Sequence, residues 1–122
     1  MFQGQTLILY VKNPAESAAF YSRLLGREPV DAAPNFAMFA LGEHAMLGLW
    51  AAHEVAPAAT PPGGAELCLT LADNAAVDAC QARWTALGAR LIQSATTMDF
   101  GYTFAVQDID GHRVRVFAPA AE

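Results

Sequence analysis

The sequence lacks an excess of positive charge. Its 122 residues include 7 Lys and Arg against 12 Asp and Glu, which gives a formal net charge of −5. Proteins that neutralise phosphates or anionic lipid headgroups need a basic patch. We therefore expect neither nucleic acid nor a membrane as a partner.

Cysteine, cofactor motifs and long apolar runs are also scarce. Cys68 and Cys80 are the only cysteines, with no CxxC pair and no His/Cys cluster, so two buried thiols are predicted rather than a zinc site or a redox motif. No GxGxxG motif or phosphate loop is present, and no cofactor is predicted. The apolar stretch near the N-terminus ends at Val11 and follows no basic segment, which favours a cytoplasmic protein.

The residue patterns typical of catalysis are missing as well. No Ser-His-Asp or Cys-His arrangement is indicated, and Asp108 and Asp110 are better explained as turn formers than as an acid/base pair. His44, His53 and His112 lie at or beside predicted turns, which favours surface positions over metal ligation.

What the sequence does contain is a loose internal repeat. The segment "TLILYVKNPAESAAFYSRLLGREPV" aligns with "ELCLTLADNAAVDACQARWTALGARLI" as strand, turn, helix, glycine and strand. Leu7 aligns with Leu67, and Gly26 aligns with Gly88, so the second helix is predicted to be about half a turn longer. With 54% hydrophobic residues the chain can bury a core.

The helix boundaries are marked by capping residues. Asn13 before Pro14 predicts an N-cap in the first copy, and Asp73 or Asn74 fills that role in the second. Glycines are expected to end both helices. Each helix carries an apolar stripe for packing on a sheet, formed by Ala18, Tyr21, Leu24 and Leu25 in the first and by Val77, Cys80, Trp84 and Leu87 in the second.

Two hairpins and a linker complete the predicted organisation. The hairpins turn at Gly42-Glu43 and at Asp110-Gly111. The predicted fold is α+β: a single domain over residues 1–122, built from two βαβββ modules whose curved mixed sheets surround a concave cleft with the helices outside. Module one spans about 3–52, a Pro- and Gly-rich linker spans about 53–64, and module two spans about 65–119.

The βαβββ repeat, the "NPAESAAFYSRLLG" helix and the "DxDGH" turn resemble the vicinal-oxygen-chelate superfamily of glyoxalases, extradiol dioxygenases and bleomycin-resistance proteins. In metal-using members, each half supplies one ligand from its first strand and one from its last. The resemblance places Gln5 and Glu66 at the first-strand positions and Gly48 and Arg115 at the last-strand positions. Glycine offers no side-chain donor and arginine repels a cation, so no metal is expected unless the register is shifted by one residue.

Within the superfamily, the chain looks most like the metal-free phenazine-antibiotic resistance proteins, which sequester a planar aromatic drug in the cleft of a homodimer. That likeness rests on Trp50, Arg115 and Glu66. It implies stacking of the ligand on Trp50, beside space left by Gly48, with Arg115 holding a carboxylate or ring heteroatom and pairing with Glu66. Four aromatic residues of the hairpins are candidates for further walls of the binding site: Phe36, Phe39, Tyr102 and Phe104. Half of these four are expected to lie in the core instead.

Two other functions stay open from the sequence. One is a metal-dependent glyoxalase- or dioxygenase-type enzyme with a displaced site, and the other is a cofactor-independent isomerase or lyase that uses Glu66 as its base. In each case a homodimer is expected from the resemblance.

Overall fold

Each half of the chain folds as its own four-stranded mixed sheet with one helix. The computed structural model describes residues 1–120 and divides the chain into two units, Met1–Pro62 and Gly63–Glu122. The α+β class and the two βαβββ modules are confirmed. No helix in the described part of the chain is long and apolar enough to cross a membrane.

The first module runs in the order β1 (Gln5–Val11), α1 (Pro14–Leu25), β2 (Asp31–Ala33), β3 (Phe36–Ala40) and β4 (Ala45–Ala51). Its sheet has the strand order β1-β4-β3-β2. The first strand lies parallel to β4, while β3 is antiparallel to both β4 and β2. The turn between β3 and β4 contains Gly42-Glu43, as predicted.

The second module repeats this plan with β5 (Glu66–Thr70), α2 (Asn74–Ala86), β6 (Arg90–Met98), β7 (Gly101–Gln107) and β8 (Arg113–Pro119). Its sheet order is β5-β8-β7-β6, again with one parallel pair, β5 and β8. The turn between β7 and β8 contains Asp110-Gly111, as predicted. Residues 55–65, between the modules, form no helix or strand.

Capping at α1 follows the prediction. The Asn13 side chain accepts hydrogen bonds from the backbone N–H of Ala15 at 3.0 Å and of Glu16 at 3.2 Å, which satisfies two donors that have no partner inside the helix. Gly26 ends the helix at φ 66° and ψ 33°, a left-handed conformation that glycine adopts without strain. Its buried face is Ser17, Phe20, Tyr21 and Leu24, so the predicted Ala18 and Leu25 lie at the margins of the stripe.

The second helix begins at Asp73, whose side chain accepts from the N–H of Ala76 at 2.8 Å. It is one residue longer than α1, with 13 residues against 12, and it ends at Ala86, two residues before Gly88. Val77 and Trp84 are its buried positions. The predicted stripe is too wide at its C-terminal end, since Leu87 is 38% exposed.

The core of each module lies between the helix and one face of the sheet. In the first module this face carries Val11, Phe39, Leu47 and Leu49, all fully buried. In the second, Phe104, Val106, Val114 and Val116 fill the same layer, and the ring of Trp84 on α2 meets Phe104 edge-on at 5.6 Å between centroids.

The expectation of two buried thiols is wrong. Cys68 is exposed and Cys80 is half-buried, and neither forms a disulfide. Leu67 is buried in β5, and strand alternation therefore places the next residue, Cys68, on the opposite side of the sheet from the core.

Candidate functional site

The helix covers one face of each sheet, and we call the other the helix-free face. In β8, Val114 and Val116 are buried toward α2, so Arg115 and Phe117 project to the helix-free face. The register places Cys68 beside Arg115 on the neighbouring strand. The helix-free face of the second module therefore collects residues from four strands: Glu66, Cys68, Gln93, Thr103, Ala105, Arg113, Arg115 and Phe117.

Arg115 is the centre of a polar network on this face. Its Nε donates to Glu66 Oε1 at 2.8 Å and its Nη2 donates to Glu66 Oε2 at 3.2 Å, a two-point pairing. Its Nη1 donates to Gln93 Oε1 at 2.7 Å and to Thr103 Oγ1 at 3.3 Å. The Arg115 side chain is only 14% exposed and that of Glu66 is 28% exposed. The predicted pairing of Arg115 with Glu66 is confirmed.

The backbone explains why these four side chains meet. Ala105 lies between Arg115 on β8 and Gln93 on β6, so the three residues form one row across the sheet. Thr103 lies two residues along β7 on the same face. Its hydroxyl donates to the carbonyl of Val116 at 2.8 Å, which leaves the oxygen lone pairs directed to accept from Arg115.

An irregularity in β6 accompanies the placement of Gln93. The pairing of β6 with β7 shifts register on both sides of Gln93, between Leu91 and Gln93 and between Gln93 and Thr96. Within the irregular segment, the backbone N–H of Ala95 donates instead to Gln81 Oε1 on α2, at 2.6 Å. A helix side chain thus supplies the hydrogen bond for an amide in the irregular stretch.

Sequence reasoning missed Gln93 and Thr103. Thr103 could have been found, because the hairpin turn at Asp110-Gly111 sets the register that pairs Arg115 with Ala105, two residues from Thr103. Gln93 had no such signal, since its row depends on the irregular register of β6.

The exposed Cys68 thiol reports the charge on this face. Partial burial raises the pKa of Cys68, the Glu66 carboxylate raises it further, and the Arg115 guanidinium lowers it by less than Glu66 raises it. Glu66 therefore has a larger effect on the pKa of Cys68 than Arg115 has.

The helix-free face of the first module is aromatic. Tyr10, Trp50 and Phe36 are directly paired across β1, β4 and β3, which puts three rings in one row. The rings of Tyr10 and Trp50 meet edge-on, with centroids 6.4 Å apart. Ile8, in the next row on the same face, is 42% exposed. Sequence reasoning identified Trp50 and Phe36 but missed Tyr10, which the parallel pairing of β1 with β4 brings beside Trp50.

The space expected over Gly48 is occupied. A Cβ atom at Gly48 would lie 3.2 Å from the ring carbon Cζ of Phe36 and 3.4 Å from Cγ1 of Ile8. Gly48 therefore makes room for the ring of Phe36. The prediction that Gly48 leaves a gap beside Trp50 was wrong. The glycine still matters to the aromatic row, because it lets Phe36 lie close to the sheet.

Gln5 does not join the face that carries Gly48. It is paired with Ala45 and alternates with Leu7 and Leu9, so it lies on the helix side of the sheet, at the exposed start of β1. The residue equivalent to Glu66 is Thr6: Thr6 pairs with Met46 as Glu66 pairs with Arg113. The predicted placement of Gln5 was one residue out of register, and one residue inverts the face.

Tyr102 also lies away from the polar network. Its hydroxyl donates to Asp78 Oδ1 on α2 at 2.6 Å, on the helix side of the sheet, and this hydrogen bond raises the pKa of Tyr102. Phe39 and Phe104 are fully buried core residues, in keeping with the expectation that part of the aromatic set is packing.

The residues at the four ligand positions of the metal-using relatives do not fit a metal ion. With the register corrected they are Thr6, Gly48, Glu66 and Arg115, which offer one carboxylate, and that carboxylate already accepts from Arg115 at two points. Divalent metals require several anionic or imidazole donors. Among residues 1–120 no three His, Cys, Asp or Glu side chains are grouped so that they could hold a metal.

The histidines lie where turns were predicted. His44 ends the turn between β3 and β4, His53 is in a short 3-10 helix over Ala52–Glu54, and His112 follows the Asp110-Gly111 turn. His44 and His53 are exposed.

Comparison with known proteins agrees with this architecture. Residues 4–116 match the sequence model of the Glyoxalase/Bleomycin resistance protein/Dioxygenase superfamily. The phenazine antibiotic resistance protein EhpR of Enterobacter agglomerans is 31% identical over 112 residues, covering 89% of this chain and 86% of that protein.

Solved structures show the same fold. The solution NMR structure of protein ATC0852 from Agrobacterium tumefaciens is 43% identical and superposes with a TM-score of 0.89, covering 99% of this chain and 100% of that one. A glyoxalase-related enzyme from Fulvimarina pelagi shares the fold at 22% identity, with a TM-score of 0.84 over 97% of this chain and 88% of that one.

Proposed function

The chain belongs to the Glyoxalase/Bleomycin resistance protein/Dioxygenase superfamily, and from that premise we propose that it binds and sequesters a planar aromatic small molecule without using a metal ion. The observation that carries this proposal is the row of Tyr10, Trp50 and Phe36 on the helix-free face of the first module.

An aromatic row on that face needs a reason. A mixed sheet covered by a helix on one side ordinarily presents polar residues on the other. Here Ile8 and Trp50 lie on that side instead, with Ile8 42% exposed. Stacking of a flat ring on an indole contributes about 0.5 to 1.5 kcal/mol beyond the burial of its area. The face is therefore suited to a flat apolar ligand.

Similarity to a resistance protein supports the same class of ligand. EhpR is named as a phenazine antibiotic resistance protein, and the match extends over 89% of this chain. Phenazines are planar fused-ring compounds. A protein that sequesters such a compound confers tolerance by lowering its free concentration, which requires binding and no chemical step.

The two enzymatic alternatives have less support. The four positions that hold metals in relatives contain one carboxylate and one guanidinium here, a donor set unsuited to a cation. Glu66 is poorly placed as a catalytic base, because both of its oxygens accept hydrogen bonds from Arg115. A free base needs a lone pair directed at substrate.

Tryptophan fluorescence tests the proposal. Phenazine-1-carboxylate and phenazine-1-carboxamide are titrated into the wild-type protein and into Trp50→Phe, with emission recorded on excitation of indole. Saturable quenching is expected in the wild type, and it should be lost in Trp50→Phe, in which Trp84 remains as an emitter 3% exposed in the core. If neither compound quenches emission at high micromolar concentration, the proposal is wrong.

Two further expectations accompany this function. We propose that the protein is a homodimer, which light scattering after size-exclusion chromatography measures directly: a mass of twice 13.0 kDa supports it and a mass of 13.0 kDa contradicts it. Cytoplasmic location also stays a prediction.

A further inference from the structure

The ring of Phe36 lies in a slot over Gly48, and we propose that a flat ring of the ligand takes the place of the Phe36 ring in that slot. The slot is the space on the helix-free face of the first module above Gly48, with Ile8 beside it on β1 and Met38 beside it on β3. This inference rests on the proposed function and deepens it, because it makes Phe36 a residue that competes with the ligand.

The slot exists because residue 48 has no side chain. Leu47 and Leu49, its neighbours in β4, are fully buried in the core on the helix side, so a Cβ at Gly48 would point to the helix-free face. Such a Cβ would lie 3.2 Å from Cζ and 3.5 Å from Cε2 of Phe36, and 3.4 Å from Cγ1 of Ile8. The edge of an aromatic ring therefore fills the space that a side chain would take.

Phe36 reaches this space from the neighbouring row of the sheet. The register pairs Phe36 with Trp50, whereas the direct partner of Gly48 on β3 is Met38. The ring thus leans diagonally, a distance that aromatic side chains commonly span between strands. Trp50 lies two residues from Gly48 on the same face of β4. A ring in the slot is therefore next to the indole on which we propose that the ligand stacks.

The position of Phe36 lets its ring leave the slot. Phe36 is the first residue of β3, directly after the turn at Pro34-Asn35, and it is half-buried. Its partner on β2 is Ala33, which is exposed and has only a methyl group. Rotation of the Phe36 side chain to another staggered rotamer moves the ring away from Gly48 without displacing a core residue. Partly exposed side chains make such rotations quickly.

A side chain that competes with the ligand has an effect opposite to that of a binding-site wall. When only a fraction of the molecules has an open slot, the apparent dissociation constant is the intrinsic one divided by that fraction. Removing the Phe36 ring should therefore tighten binding, because the slot is then always open. If Phe36 were a wall that contacts the ligand, its removal would weaken binding.

Calorimetric titration with phenazine-1-carboxylate distinguishes the two roles. Phe36→Ala is expected to bind this compound at least about threefold more tightly than the wild type, the gain for a slot that is closed about two-thirds of the time. Phe2→Ala is the matched control: it removes the same ring at a residue that is 92% exposed and precedes β1, and it should leave the dissociation constant unchanged. Adding Gly48→Ala to Phe36→Ala should cancel the gain, because the new methyl group occupies the slot.

A measurement on the wild-type protein needs no variant. One Hα of Gly48 points in the direction of the missing Cβ, so a nuclear Overhauser effect between it and the ring protons of Phe36 is expected without ligand. Saturation with phenazine-1-carboxylate should abolish this signal. The result therefore stands even if Phe36→Ala does not fold, which circular dichroism reports.

The outcomes separate this inference from the proposed function. If the wild type does not bind phenazine-1-carboxylate or phenazine-1-carboxamide, the proposed function fails. If the wild type binds, but a folded Phe36→Ala protein binds equally or less tightly, Phe36 is not a competitor and only this inference is overturned. Persistence of the Phe36–Gly48 signal in the saturated complex overturns it as well.

Discussion

Removing the Glu66 carboxylate should destabilise the protein more than removing its partner. In Glu66→Ala the Arg115 guanidinium keeps its charge at 14% exposure while losing two of its four hydrogen bonds. Breaking a fully buried pair costs about 3 to 5 kcal/mol. The carboxylate is 28% exposed, so water partly compensates, and we expect about 2 kcal/mol.

The converse variant, Arg115→Met, leaves different groups without a hydrogen-bond partner. Arg115→Met retains a carboxylate that is already more exposed than the guanidinium was, and it leaves Gln93 and Thr103 as neutral acceptors. We expect a loss of about 1 kcal/mol, because an uncharged acceptor without a donor is less unfavourable than a buried charge.

The double variant Glu66→Ala with Arg115→Met completes a thermodynamic cycle. With both side chains replaced no buried charge is left unpaired, and the double variant should lose only about 1 kcal/mol, from the Gln93 and Thr103 oxygens that no longer have the Arg115 donor. The sum of the single losses should therefore exceed the double loss by about 2 kcal/mol.

Guanidinium chloride unfolding followed by circular dichroism measures each free energy. The exposed Glu28→Ala serves as the control and should change stability by no more than about 0.5 kcal/mol. If Glu66→Ala is as mild as the control, the pair is hydrated in solution and does not organise the helix-free face.

Three further predictions follow from local geometry. Gly48→Ala should destabilise the protein by about 1 kcal/mol in the same unfolding assay, because the new methyl group crowds the ring of Phe36. Gly42→Ala is the control and should be neutral, because a Cβ there meets nothing within 4 Å. Equal losses of stability in the two variants would contradict the argument. In a Cys80→Ala background, iodoacetamide should alkylate the Cys68 thiol more slowly at pH 8 than it alkylates free cysteine, because the raised pKa of Cys68 leaves less thiolate. Glu66→Gln should speed the reaction, because the Glu66 carboxylate raises that pKa. A slower reaction in Glu66→Gln would contradict this effect of Glu66. Asp108→Ala should cost about 1 to 2 kcal/mol, since Oδ1 accepts from the backbone N–H groups of the turn at 2.9 and 2.8 Å, and an unchanged denaturation midpoint would show that water replaces it.

Local chemistry was enough to predict both modules and the two ends of α1. Asn13 before Pro14 marked the start of α1, and Gly26 marked its end, because capping depends on neighbours within four residues. The two hairpin turns were found for the same reason. The superfamily resemblance put Arg115 at a last-strand position, and in the structure its alternation with the buried Val114 and Val116 places it on the helix-free face.

Contacts between residues far apart in the sequence could not be predicted in the same way. Thr6 rather than Gln5 is the counterpart of Glu66, because the register of β1 is set by its pairing with β4, about forty residues away, and a one-residue error inverts a strand. Phe36 covers Gly48 because the register of β3 on β4 places it opposite Trp50, one row from Gly48 on the same face.

The sequence therefore established the repeat, the helix N-caps and the hairpin turns, all of which depend on residue type and short spacing. Tertiary structure decided which residues share a face: it brought Gln93 and Thr103 to Arg115, directed Tyr102 to α2 and joined Tyr10 to Trp50. Such neighbours are set by strand register and by irregularities such as that in β6, where the winning arrangement depends on packing summed over the whole sheet.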